Sequence, residues 1–237
     1  MFGLFDALTS LVFPLTCSIC SKIVESTHNA DVCLACWSET AFFQDDAPIC
    51  QRCSRRFERI ALGQTASCSD CVGHYYDKVI SLGPYEKGIK ASIIYLKTNP
   101  KVPKILRKCI EERLSSIKFE ADTIMPVPLS RERRFERGFN QAEVIAKVVA
   151  RTLNISMDAK SLTRTAHTLA HRAGMDSKAR ANTVEKAFRV VREGFVKEKR
   201  VLLVDDVLTT GSTVSACARE LRRSGAGSVT VFTIARA

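Results

Sequence analysis

A buried strand that ends in two acids and passes straight into a helix can be built in few ways. The thirteen residues Val201 to Thr213, VLLVDDVLTTGST, carry that arrangement. Val201 to Val204 form a short apolar run, expected as a fully buried strand of a parallel sheet. Val214, Cys217, Ala218 and Leu221 recur at helical spacing, so a helix is expected to open near Ser212. The N-terminus of that helix offers free N–H groups and the positive end of a dipole, which suits a phosphate. Thr209, Thr210, Ser212 and Thr213 add hydroxyl donors, and Gly211 admits close backbone approach. Asp205 and Asp206, at the carboxyl end of the expected strand, suit vicinal hydroxyls or a divalent cation. A phosphate at one end and a diol beside it outline a 5′-phosphoribose.

The other end of the chain follows a different rule. Cysteines recur as four Cys-x-x-Cys pairs: Cys17/Cys20, Cys33/Cys36, Cys50/Cys53 and Cys68/Cys71. Each pair sets two thiolates on one side of a turn, and two such knuckles complete a tetrahedral zinc site. Disulfides are disfavoured in a reducing compartment. A redox pair would occur once, beside a thioredoxin-like pattern, not four times in series. Joining successive pairs closes the smaller loops and is preferred on entropy, giving Cys17, Cys20, Cys33, Cys36 and Cys50, Cys53, Cys68, Cys71. A cross-braced arrangement, first pair with third, stays open. Sites of four thiolates are structural, and they replace a core that so short a segment cannot build. With eight thiolates available, His28 and His74 are expected to stand outside the sites. Cys109 and Cys217 read as small buried apolar residues.

The 237 residues carry a net charge of +11, unevenly spread. Up to Tyr76 there are five Lys and Arg against eight Asp and Glu, a balance of −3; beyond it there are 31 against 17, or +14. A phosphorylated ligand accounts for some of that surplus, nucleic acid would account for more, and a plain solvated surface also tolerates it. No run of 18 apolar residues occurs, so no membrane insertion is expected. The opening MFGLFDALTSLVFP has no basic n-region and no small-residue cleavage site. It reads as a short amphipathic helix, and the chain as cytoplasmic.

Between the two ends, Asp77 to Leu82 and Ala121 to Val127 read as strands. Tyr85 to Leu96, Lys101 to Leu114 and Phe139 to Leu153 read as helices. Five parallel strands are expected near Ile124, Ile155, Phe188, Val201 and Val229. Prolines 126 and 128 end a strand and stiffen the turn into SRERRFERGFNQ, which holds Arg131, Arg133, Arg134 and Arg137. Arginines at such a turn suit a doubly charged phosphate, although a solvent-exposed basic turn would look the same.

VLLVDDVLTTGST resembles the signature for phosphoribosyl pyrophosphate (PRPP) in type I phosphoribosyltransferases. MPVPLSRERRFERGFNQAEVIA, with the four N-terminal knuckles from FPLTCSIC at Phe13 onward, is similar to the ComF family within that class. GPYEKGIKASIIYLK from Gly83 to Lys97 fits it too. So does the segment Leu162 to Phe188, which resembles a hood over the active site. There Arg164, Thr168 and Arg180 match the family pattern. His171 stands where Gln is usual, and Thr183 where Asn is usual.

The resemblance implies an α/β fold. It comprises an N-terminal helix and small double zinc ribbon over residues 1–76, then over 77–237 a phosphoribosyltransferase-type parallel sheet with helices on both faces. It implies that Asp205 and Asp206 hold the ribose hydroxyls, that Thr209, Thr210, Gly211, Ser212 and Thr213 wrap the 5′-phosphate, and that Arg133 and Arg137 meet the pyrophosphate. Two structural zinc ions, and Mg²⁺ accompanying PRPP, are the implied cofactors. Transfer would go to an acceptor that no motif names. The alternative is a non-catalytic accessory of competence and DNA uptake that binds single-stranded DNA and works beside a DNA translocase.

Overall fold

The computed structural model describes residues 15–26, 28–44, 47–57, 68–118, 120–165 and 187–237. The expected helix over the first fourteen residues lies outside these, as do Thr168, His171, Arg180 and Thr183 of the hood segment.

The core is a four-stranded parallel sheet. Its strands are β1 (Lys78–Pro84), β2 (Thr123–Pro126), β5 (Arg200–Leu208) and β6 (Ser228–Arg236), in the order β1-β6-β5-β2. Period-two alternation sorts its side chains onto two faces. Leu202 and Val204 of β5 join Ile80 and Leu82 of β1 on one face, while Val201 and Leu203 join Val79 on the other. The strands read as near-continuous apolar runs because both faces are covered.

On the first face lie helices α2 (Lys87–Tyr95), α3 (Lys104–Ser116) and α5 (Gln141–Leu153), supplying Ile89, Ile93, Leu106, Ile110, Ile145 and Val149. Asn140 caps α5, its side chain accepting from the Ala142 N–H at 3.1 Å, and Asn154 ends it in a left-handed conformation. Truncating one of these buried side chains, such as Ile145→Ala, costs about 2–5 kcal/mol. On the second face lies α6 (Ser212–Arg223), with Val214, Cys217, Ala218 and Leu221 turned to the sheet. Beside α6 sits an antiparallel hairpin of β3 (Leu162–Arg164) and β4 (Phe188–Val190).

Four expectations need correction. Phe188 belongs to that hairpin and not to the parallel sheet, and the strand at Lys78–Pro84 supplies the parallel edge instead. The stretch near Ile155 contributes only a single parallel bridge, Ile124 to Met157. The basic turn after β2 folds as a short helix, α4 (Arg131–Arg137), capped by Ser130 and ended by Gly138 at φ 75°. The strand read as Val201 to Val204 also runs on to Leu208, so both acids lie within it.

The cysteine segment straddles the sheet. Cys17, Cys33, Cys36 and Trp37 pack in the core of the first face, whereas Cys50, Cys53, Cys71 and Tyr76 pack in that of the second. Between them the chain crosses the outer edge of β1. The Phe43 N–H donates to the Leu82 carbonyl at 2.7 Å, the Val79 N–H to Arg52 at 2.9 Å, and the Ser54 hydroxyl to Val79 at 2.9 Å.

Candidate functional site

The two ribbons repeat one local design. Ser21 and Ser54, each following the second cysteine of a knuckle, take left-handed φ values of 61° and 57°. Their N–H groups close back on the Cys17 and Cys50 carbonyls at 2.9 and 2.8 Å. The second half of each site sits at a helical start, Cys33 ahead of α1 (Leu34–Ser38) and Cys68 ahead of a single 3₁₀ turn. The sulfurs form two groups, Cys17, Cys20, Cys33, Cys36 and Cys50, Cys53, Cys68, Cys71, all within 4.8 Å inside each group. The pairing is therefore sequential, not cross-braced.

Zinc fits these groups. Four thiolates about 2.3 Å from one ion lie about 3.8 Å from each other. The observed separations include 3.6 Å for Cys20 to Cys33, 3.6 Å for Cys50 to Cys71, and 3.5 Å for Cys53 to Cys68. None is a disulfide. Each group also contains a ready thiolate. Burial pushes the Cys17 thiol up, but the backbone N–H groups of Cys33, Cys20 and Ile19 bring it down to about 6. Cys50 is brought to about 7 in the same way, against its burial, by the N–H groups of Cys68, Cys53 and Arg52. His28 and His74 stand outside both groups.

The second constellation lies at the carboxyl end of the sheet. After β2 and α4 the chain returns over one face as α5, and after β5 over the other as α6, so these neighbouring strands meet where the winding reverses, the place at which open α/β sheets bind ligands. Asp205 and Asp206 stand at that point on β5, beside the exit of β2, where the Val127 N–H donates to the Val204 carbonyl at 2.8 Å. Both side chains are half-buried. Desolvation raises the Asp205 pKa well above the usual carboxylate range, and the Asp206 carboxylate raises it further. The Asp206 N–H donates to Asp205 Oδ1 at 2.9 Å, and the Val207 N–H to Asp206 Oδ1 at 2.8 Å.

Beyond β5 the loop turns at Gly211, φ 80°, and α6 starts with no side-chain cap. The Ser212 N–H meets Thr210 Oγ1 at 3.4 Å, and a helix start of this kind suits a phosphate. The hydroxyls of Thr210 and Ser212 pair at 2.8 Å, and the side chains of Thr209, Thr210 and Ser212 are exposed. Cys217, one turn into α6, is fully buried; burial and then the Asp205 charge push its thiol far above the reactive range.

The arginines divide. Arg134 turns toward α5 and meets Glu143 at 3.4 Å. Burial, and then the charge of Arg133, lower the pKa of Arg164 at the end of β3. Arg164 also lies over the Phe188 ring, 5.4 Å from its centroid. The charge of α4 is thus felt at the end of β3. Among the described residues no ion pair engages Arg131 or Arg137.

Two residues escaped the sequence reading. His74 and Tyr76 stack with centroids 5.0 Å apart, and a methyl group added at Gly211 would lie 3.0 Å from Tyr76 Oη and 3.3 Å from His74 Cε1. Burial, then the charges of Arg52 and Arg236, keep the His74 pKa low. No local signal links a residue after the last knuckle to a loop at the other end of the chain.

The parallel sheet with a hydroxyl-rich loop at its carboxyl end is of the phosphoribosyltransferase type. A phosphoribosyl transferase domain matches residues 95–237, and the chain belongs to that family. A double zinc ribbon domain matches residues 8–72. The chain is 28% identical over 236 residues to competence protein F of Haemophilus influenzae, covering 95% of this chain and 98% of that one. It is 25% identical over 211 residues to competence protein ComFC of Streptococcus pneumoniae, covering 81% and 89%. It is 37% identical over 115 residues to DNA utilization protein YhgH of Escherichia coli, covering 48% and 49%. These relatives bear out the resemblance to the ComF family.

Proposed function

We propose that the carboxyl ends of β2 and β5 bind PRPP and that the protein transfers its phosphoribosyl group to an acceptor. The features that support this reading are a helix start without a side-chain cap behind a hydroxyl loop, the acid pair on β5, and the arginine helix that follows β2. In this reading Thr209 to Thr213 hold the 5′-phosphate through backbone N–H groups and hydroxyls. Asp205 and Asp206 accept from the ribose hydroxyls. Arg133 and Arg137 hold the pyrophosphate as it leaves C1, by charge and by bidentate contact. The reaction breaks the C1–O bond, gives pyrophosphate, and joins C1 to a nucleophilic atom of the acceptor.

The acid pair also suits Mg²⁺, since Asp206 crowds Asp205 and a divalent cation relieves that repulsion. Magnesium, when bound, would neutralise part of the pyrophosphate charge. The test is calorimetric titration with PRPP and Mg²⁺, on the parent and on Asp205→Asn/Asp206→Asn. Equal binding by the two would remove the acids from the site.

A groove of about 410 Å³ favours a second reading. Lys101, Arg107, Arg134, Lys147 and Arg151 line it with Phe139, and Glu143 is its one acid. On the neighbouring α4, Phe135 is 92% exposed. A cationic track with aromatic faces suits single-stranded nucleic acid, and two of the relatives are named for competence and a third for DNA utilization. Binding of an oligonucleotide, with and without PRPP, distinguishes one shared surface from two separate ones. No binding at low salt would remove this reading, together with the translocase partner it implies.

A further inference from the structure

The phosphate loop has a backing that belongs to neither β5 nor α6. Gly211 turns with φ 80°, and a methyl group added there would lie 3.0 Å from Tyr76 Oη and 3.3 Å from His74 Cε1, tighter than ordinary contact. The loop backbone therefore rests on the His74–Tyr76 stack, whose rings are 16° from parallel. That stack is held from the third knuckle. Arg52, between Cys50 and Cys53, donates to the His74 carbonyl at 2.7 Å and to the Tyr76 carbonyl at 3.3 Å. The His74 N–H donates to the Cys71 carbonyl at 3.4 Å. Between the two stacked rings, the Tyr75 N–H donates to Ser215 Oγ at 3.2 Å in the first turn of α6, and Arg219 lies over the Tyr75 ring at 5.9 Å. Cys53, His74, Tyr76, Thr209, Thr210 and Arg236 line one continuous cavity of about 490 Å³, so knuckle and loop face each other across it. The first ribbon has its cysteines in the core of the opposite face.

A loop that grips a phosphate through N–H groups works only if those groups are already aimed. We propose that His74 and Tyr76 are positioning residues for the phosphate loop, and that the second zinc site, unlike the first, holds the loop in its binding geometry. A ribbon that supplies fold stability alone would affect every part of the domain alike. The contacts here converge on one turn, Gly211 to Ser215. The ligand arm of the inference rests on the PRPP reading; its structural arm does not.

The test uses the full zinc-loaded chain and the variants Tyr76→Ala, Tyr76→Phe, Cys50→Ser and Cys17→Ser. Hydrogen exchange of the amides from Thr210 to Val214 is read without ligand. We expect Tyr76→Ala and Cys50→Ser to speed that exchange by about tenfold or more. Tyr76→Phe, which keeps the ring stack, should recover most of the protection, and Cys17→Ser should leave it unchanged. In parallel, affinity is read for ribose 5-phosphate and for inorganic pyrophosphate with Mg²⁺. Tyr76→Ala should weaken the first by about tenfold and leave the second within about twofold. Unchanged loop exchange in both Tyr76→Ala and Cys50→Ser would overturn the proposal. So would equal effects of Cys17→Ser and Cys50→Ser, which would make the ribbon a general stabiliser. If the parent binds neither probe, the PRPP reading fails, and the exchange measurements still decide whether the ribbon holds the loop.

Discussion

Asp122 and Arg200 tie the start of β2 to the start of β5, at the end of the sheet away from the acid pair. The Asp122 carboxylate accepts from the Arg200 N–H at 2.8 Å and from its guanidinium at 2.6 and 3.1 Å. Those bonds hold the Asp122 carboxyl far below the usual carboxylate range. A carboxylate with a depressed folded pKa contributes stability above its unfolded pKa of about 3.9, and loses it as pH falls through the folded value. Asp122→Asn should therefore melt lower than the parent at pH 7. The gap should begin to narrow only below about pH 4 and close as the pH nears the folded value. A gap independent of pH would mean that the ion pair is not its source.

Asp205 has the opposite sign. Its pKa is raised, so its contribution is favourable below the unfolded pKa and is lost as pH rises toward the folded value. Asp205→Asn should raise the melting temperature of the unliganded protein at pH 7 and change it less near pH 4. The same variant should lose the thermal shift that PRPP with Mg²⁺ gives the parent. A lower melting point at pH 7 would show that the carboxylate is stabilised by its surroundings.

Metal analysis of the purified chain should find about two zinc ions. Cys17→Ser and Cys50→Ser should each lose one, because the sulfurs group as two separate sets of four. Loss of both ions from either single variant would show the sites to be interdependent.

Gly211→Ala forces a side chain into left-handed backbone and against Tyr76. The backbone term alone is roughly 1–2 kcal/mol. Denaturant unfolding should show at least that loss, and calorimetry should show weakened binding of ribose 5-phosphate. A variant as stable as the parent would mean that the loop relaxes away from the stack.

The basic groove is open to a salt titration. Replacing Arg107 and Arg151 with alanine should flatten the dependence of single-stranded DNA affinity on salt, by about 0.7 for each phosphate that the side chains no longer neutralise. An unchanged slope would move the DNA-binding surface off this groove.

The sequence made some of this plain and hid the rest for physical reasons. Strand, acids, loop and helix from Val201 onward were readable because a fully buried strand is an unbroken apolar run, and because Val214, Cys217, Ala218 and Leu221 keep helical period. The pairing of the knuckles followed from loop-closure entropy. The helix α4 was hidden because none of its residues is buried, so no apolar face marks its period. Phe188 and Val190 flank one exposed arginine, and so short a run reads the same in a hairpin and in a sheet. The support of Gly211 by His74 and Tyr76 depends on chain segments that meet only in the folded molecule.

The passage of the cysteine segment across the outer edge of β1 gives the ribbons a further consequence. A parallel sheet has two flanks, and an uncovered flank offers N–H and carbonyl groups to any passing strand. On this flank the groups of Val79 and Leu82 are occupied by Arg52, Ser54 and Phe43, all from the metal-binding segment. Chelation would therefore do more than loosen two small knuckles: it would leave the sheet with an open side able to grow by recruiting a strand from another copy. Light scattering should register this self-association on removal of zinc, and the metal would in this sense guard the sheet's open flank.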